Sequence, residues 1–312
     1  MTRSALSVVV LLSALEFAAP AASAASAPSA VVAQDTLRAL YAAKFRAELE
    51  QISREFDGVY GAQVIDLTDG VTIGVNAGLV LPQGSAIKIP ILLELFRRAD
   101  ERPGLLAQRR PVTDAVRTGG SGVIQWFGNG TSELALEDLA VLMIVLSDNT
   151  ATNMLIDELG MDAVNRNMER LGMPNTRLRR KMIRPDASAR GEENTSTPAE
   201  AAAFMARLAR CELPVSAASC RRMREILEIP KGGPVRAPVP SAIPIAFKPG
   251  GIEGVTTVWA LVNLPGRPYA LAVMTTYGGN GGEAVRRTSE AAYEFFARLA
   301  GATPFGTRVP VR

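Results

Sequence analysis

The 312-residue chain contains no histidine. That absence excludes a Ser-His-Asp triad, a histidine-activated cysteine and nearly every zinc hydrolase site. Lysine is almost as rare, occurring only at Lys44, Lys88, Lys181, Lys231 and Lys248, while arginine carries the rest of the positive charge. A buried lysine can give up its proton and arginine in effect cannot, so each lysine in so arginine-rich a chain is a candidate for proton chemistry. The two cysteines, Cys211 and Cys220, flank the short segment 212–219. A local disulfide in an oxidising compartment is the preferred reading and a pair of buried free thiols the alternative; neither makes cysteine a nucleophile. The formal net charge is only +3, and no basic stripe is interleaved with aromatics, so no nucleic-acid partner is expected.

Long apolar runs are missing as well. Near the N-terminus Arg3 precedes a short apolar run, 5–15, that Glu16 interrupts, and Ala22-Ser23-Ala24 offers a small-residue cleavage site. This pattern predicts a signal peptide over 1–24 rather than a membrane span, which needs about 20 apolar residues. No cysteine stands near the cleavage site to carry a lipid. The mature protein is therefore expected to be exported, periplasmic or extracellular. With 47% hydrophobic and 21% charged residues, the remainder, 25–312, reads as one globular domain.

Periodicity predicts a helix over 34–56, with Leu37, Leu40, Tyr41, Phe45 and Leu49 on one side. A hairpin follows over 60–76, turning at Asp69-Gly70. An apolar helix begins at Ser85, with Pro90 tolerable only in its first turn. The middle of the chain reads as helices 136–146, 151–159, 163–171 and one starting at Thr197-Pro198, where Glu200 completes a capping box. Between 177 and 197 lies a polar stretch of about twenty residues, a length at which loops are often functional. Strands return at 243–248, 255–264 and 269–277, and a helix closes the chain over 282–299. The expected fold class is α+β: an antiparallel sheet built from both chain ends, about 34–98 and 240–304, flanked by helices, with an inserted all-α lobe of about 99–239.

Three segments carry reactive side chains. In Ser85-Ala86-Ile87-Lys88 the two polar residues share a face if a helix starts at Ser85, so a desolvated lysine can serve as the base that serine needs. Ser147-Asp148-Asn149 interrupts two apolar helices; Ser147 could pass a proton and Asn149 could hold a substrate amide, whereas helix capping accounts for part of Asp148. Lys248-Pro249-Gly250-Gly251 ends a β-rich run, and its glycines would let a substrate approach the backbone and leave an N–H free as an oxyanion donor. A simple turn would also account for that last segment.

Taken in this order, Ser-x-x-Lys, Ser-Asp-Asn and Lys-x-Gly form a signature set. The chain resembles class A β-lactamases and their penicillin-recognising serine hydrolase relatives across essentially all of 25–312. Supporting stretches run over 143–153 and 248–255, with Thr195-Ser196-Thr197-Pro198 before a helix. The resemblance implies a β-lactamase/transpeptidase-like fold and a Ser85 nucleophile with Lys88 as its base. It further implies Ser147 as proton relay, Lys248 as a positive field, Asn149 and Gly250 in substrate binding, and the N–H groups of Ser85 and Gly251 around the oxyanion. It implies no cofactor or metal, a monomer, and a small-molecule β-lactam or cell-wall peptide as substrate. Two departures stand out. Pro249 replaces the usual hydroxyl residue of the third motif, and Met182 stands where the family's deacylating glutamate is expected. Asp186 is the preferred substitute for that glutamate, with Glu192 and Glu193 nearby. Three functions follow as expectations: a β-lactam hydrolase, slow for want of the usual glutamate; a DD-peptidase- or amidase-like acyl hydrolase; or a penicillin-binding sensor without turnover.

Overall fold

The structure, a computed structural model, describes Met1 and residues 30–308, with side chains from Thr36 onward. The expected signal peptide, 1–24, lies outside the described residues apart from Met1. Five antiparallel strands form the central sheet: β1 (Val59–Asp66), β2 (Thr72–Val75), β3 (Ile245–Ile252), β4 (Val255–Val262) and β5 (Tyr269–Thr276), in the order β2-β1-β5-β4-β3. The strand from early in the chain pairs directly with the last one, Val59 opposite Thr276 through Asp66 opposite Tyr269. One sheet is thus assembled from both ends of the described chain.

Nine α-helices are described: α1 (Ala30–Glu55), α2 (Lys88–Glu101), α3 (Leu136–Val145), α4 (Asn149–Leu159), α5 (Met161–Arg170), α6 (Pro185–Ala189), α7 (Pro198–Arg210), α8 (Ala217–Glu228) and α9 (Gly281–Ala300). Side chains alternate across the strands. Val258, Ala260 and Val262 of β4 face the core under α1 and α9, while Trp259 and Leu261 face the core shared with the other helices. The central strands are buried on both faces, which explains their nearly continuous apolar runs. Inside the helical core, the buried Glu94 of α2 accepts from Arg97 and Arg98 of its own helix and from Asn167 of α5, which ties α2 to α5.

The expected elements form, with local differences. Leu37 and Leu40 are exposed; among the described side chains of α1, burial begins near Tyr41 and Phe45, whose rings stack on Phe295 of α9. At α7, Thr197 caps the Glu200 N–H at 3.1 Å, but Glu200 does not return to the cap. Its carboxylate instead accepts from Asn175 and Thr176, tying α7 to the preceding segment. The Pro249-Gly250-Gly251 run does not terminate its strand: β3 continues through it to Ile252. Proline is tolerated there because β3 is an edge strand and its nitrogen can face away from β4. The 177–197 stretch is not structureless, containing α6 and a short pairing of Thr195–Ser196 with Leu81–Pro82. Cys211 and Cys220 form a disulfide, with Cα atoms 5.7 Å apart.

Candidate active site

The chain enters the site through Gln83, which is fully buried. Its carbonyl accepts from Thr257 Oγ1 at 2.8 Å, its Oε1 from Trp259 Nε1 at 2.8 Å, and its N–H donates to Asn194 O at 2.8 Å. A short 3-10 turn, Gly84–Ile87, follows and runs into α2, with Pro90 in the first turn of that helix. The turn lies hard against β3. A Cβ on Gly250 would stand 2.3 Å from Gln83 O and 2.6 Å from Ala86 N, so only glycine permits the approach. Ser85, the second residue of the turn, has an N–H with no acceptor among the described residues, as expected at a helix start.

Lys88 sits one turn further on, fully buried. Its Nζ donates to Ser147 O at 2.6 Å, Ser147 Oγ at 3.1 Å and Asn149 Oδ1 at 3.0 Å. Lys248 Nζ, also buried, donates to Ser147 Oγ at 3.0 Å and Pro249 O at 2.8 Å. One hydroxyl therefore bridges two amines. Burial pushes Lys88 down to about 7, with nearby Asp148 partly opposing the shift. Lys248 is held well below the ordinary lysine value, by burial first and then by repulsion from Lys88 and Lys231. The Ser147 hydroxyl, within hydrogen-bonding distance of both amines, offers a path for a proton between them.

Ser147 reaches this position with a left-handed backbone, φ +54°, at the break between α3 and α4. The break is held by Asp148, whose carboxylate accepts from Val123, Ile124 and Ala151 N–H groups at 2.6–2.9 Å. Its capping role extends to a second segment, 118–124, that sequence reasoning passed over. Asn149 belongs to the same junction: its Nδ2 donates to Gly119 O at 3.0 Å and its N–H to Ser121 O at 2.9 Å. The glycines clustered at 119, 120 and 122 are the available signal for this segment; a Cβ on Gly120 would stand 2.8 Å from Asn149 Nδ2.

A cavity of about 340 Å³ opens over this arrangement, lined by Ser85, Asn149, Gly251 and Ser121 among others, but not by the two lysines. Pro249 has no N–H to offer β4, and Gly251, two residues on, shares its orientation. Gly251 N indeed faces the 3-10 turn, lying 2.7 Å from where a Cβ on Gly84 would stand. Lys88, Ser147, Lys248 and Asn149 are thus brought into direct contact. Ser85 lines the same cavity, but among the described residues no hydrogen bond joins its hydroxyl to Lys88, Ser147 or Lys248; three acceptors at 147–149 hold the Lys88 amine instead.

The expectation for Asp186 is corrected. Its carboxylate is half exposed, does not line the cavity, and is gripped by Arg184 at 2.9 and 3.1 Å. The hydrogen bond from Arg184 holds it down to about 2, so it is a poor proton acceptor. Glu192 pairs with Arg190, and Glu193 alone among the nearby acids lines the cavity, its oxygens occupied by Arg180 and Ser188. Met182 lines the cavity where the family resemblance expects a glutamate. Its main chain is clamped by Asn153, which accepts from its N–H at 2.8 Å and donates to its carbonyl at 3.2 Å. No cluster of three or more His, Cys, Asp or Glu among the described residues could hold a metal, and no described helix is long and apolar enough to cross a membrane.

A family model described as "Beta-lactamase enzyme family" matches residues 44–296, most of the chain. The chain belongs to this family. Beta-lactamase L2 of Stenotrophomonas maltophilia is 31% identical over 187 residues, 59% of this chain and 58% of that enzyme. The aligned region thus spans little more than half the length of L2. The carbapenem-hydrolyzing beta-lactamase KPC of Klebsiella oxytoca is 27% identical over 243 residues, 73% of this chain and 78% of that one. Among solved structures, PBP-A superposes with a TM-score of 0.75 at 28% identity, covering 82% of this chain and 97% of its own. A mutant of PBP-A, 29% identical to this chain, is known as an acyl-enzyme complex with penicillin G. The α+β fold of the chain agrees with that of these solved relatives.

Proposed function

We propose that this family member is an exported enzyme that opens β-lactam amides through an acyl-enzyme on Ser85 and releases the product slowly. The observation that carries the reading is the hydroxyl of Ser147 bridging Lys88 and Lys248 beneath the cavity that Ser85 lines. Neutral Lys88 takes the Ser85 proton as Oγ bonds to the lactam carbonyl carbon, and the N–H groups of Ser85 and Gly251 receive the oxyanion. When the carbon–nitrogen bond breaks, Ser147 gives its proton to the departing nitrogen and recovers one from the lysine pair. An oxyanion donor of this kind is worth about 3–4 kcal/mol. Asn149 lines the cavity and flanks the bound amide through its remaining hydrogen-bonding capacity, whereas Gly250, expected to bind substrate, does not line the cavity and serves instead by letting the Ser85 turn close against β3.

Release requires an activated water. Met182 supplies no base, Asp186 lies outside, and Glu193 is engaged by Arg180 and Ser188, which supports a long-lived ester. Export is supported by the N-terminal pattern and by the Cys211–Cys220 disulfide, a bond typical of oxidising compartments. The test is to mix mature protein with benzylpenicillin and follow ring opening and intact mass together. An adduct on Ser85 that decays slowly is expected, and Ser85→Ala should carry none. Fast multiple turnover would remove the slow-release part. Absence of any adduct or ring opening would move the assignment to cell-wall peptide substrates.

A further inference from the structure

Ile183 carries a left-handed backbone, φ +53°, which a β-branched residue adopts only under strain. Its neighbours are pinned on both sides. The Asn153 amide grips the Met182 main chain at 2.8 and 3.2 Å. Earlier in the loop, Asn194 Oδ1 accepts from the N–H groups of Arg179 and Arg180 at 2.7 and 3.0 Å. Just beyond, Pro185 opens α6 and restricts Arg184 before it. Strain of this kind persists only where the surroundings over-determine it. What it secures here is placement. The Ile183 side chain is 53% exposed yet lines the Ser85 cavity. Its Cδ1 lies 3.2 Å from where a Cβ would stand on Gly120, another lining residue. Met182 and, from β3, the 41% exposed Ile252 line the same cavity. The cationic lining residues do not offset this apolar character, since Arg180 is committed to Glu193 and Arg184 to Asp186.

We propose that Ile183 is a specificity-determining residue: with Met182 and Ile252 it gives the cavity an apolar wall that selects an uncharged, apolar acyl side chain on the substrate. The inference rests on the reading of Ser85 as the acylated residue, and its test keeps the two apart. Benzylpenicillin and ampicillin differ by one ammonium on the acyl side chain. Their affinities are measured by calorimetric titration in a Ser85→Ala background, where no covalent step occurs. Benzylpenicillin should bind more tightly by about tenfold, the discrimination that a small change of substrate produces in an apolar pocket. Adding Ile183→Asn, which suits the left-handed backbone, should erase most of that preference while leaving the melting temperature equal or higher. Equal affinities before the change, an unaltered preference after it, or no binding of either penicillin would each overturn the proposal. Mass analysis of the protein with Ser85 intact decides the acylation reading separately.

Discussion

At the scale of single residues, the scarcity of lysine proved informative. Lys88 and Lys248 are buried together, and Lys231 is partly buried nearby, its Nζ 4.4 Å over the Phe247 ring. Lys44 and Lys181 stay at the surface, the latter paired with Asp157. Burial penalises the charged amine, so Lys88 is protonated below about 7 and increasingly neutral above it. In the proposed mechanism acylation requires the neutral form. Its rate should therefore rise with pH through about 7 and level off above. Below that midpoint it should fall about tenfold per pH unit, as for a single ionisation. Stopped mixing followed by mass analysis gives the profile; a midpoint near the ordinary lysine value would show that Lys88 is not the base. Lys88→Met should lower the rate by roughly 10²–10⁴ and remove this limb.

At the scale of elements, the site depends on how closely the 3-10 turn carrying Ser85 approaches β3. The two glycines of β3 differ sharply in this respect. A Cβ on Gly250 would meet Gln83 O at 2.3 Å, Thr257 Oγ1 at 2.5 Å and Ala86 N at 2.6 Å, whereas on Gly251 the nearest atom is Val255 O at 3.5 Å. Gly250→Ala should therefore destabilise by about 1–3 kcal/mol, the scale of an overpacked core, and displace Ser85 enough to abolish acylation. Gly251→Ala should keep both fold and acylation, because only its N–H is used. Thermal melts with adduct formation on both variants check the contrast. The hairpin and most helices were legible from sequence because turn residues, caps and periodicity are local signals, but α6 and α8 were not read from it. The seat of Ser85 was not legible, since Gln83 is held by Thr257 and Trp259, 174 and 176 residues away.

Across the whole molecule, two cores share one sheet, and the disulfide joins the end of α7 to α8 away from the cavity. Neither cysteine lines the Ser85 cavity. The crosslink closes a loop with a sequence separation of 9. A loop of that size contributes about 2–3 kcal/mol by limiting the unfolded chain. Reduction should lower the melting temperature by roughly 5 °C for a domain of this size while leaving the acylation rate intact. Melts and adduct formation with and without reductant measure both; a loss of acylation in folded, reduced protein would tie the crosslink to the site.

Sequence alone determined most of the elements and their order, though not α6 or α8, and it singled out Ser85, Lys88, Ser147, Asn149 and Lys248 as candidates, because residue type and short spacing carry that information. Tertiary structure decided which of these side chains meet. Lys88 turns to Ser147, 59 residues away, and Lys248 to the same hydroxyl, 101 residues away. It also left Asp186 outside the cavity and held Ile183 in a backbone its own shape disfavours. A side chain chooses among partners by distance and desolvation, and for segments so far apart in the chain both exist only once the helices have packed against the sheet.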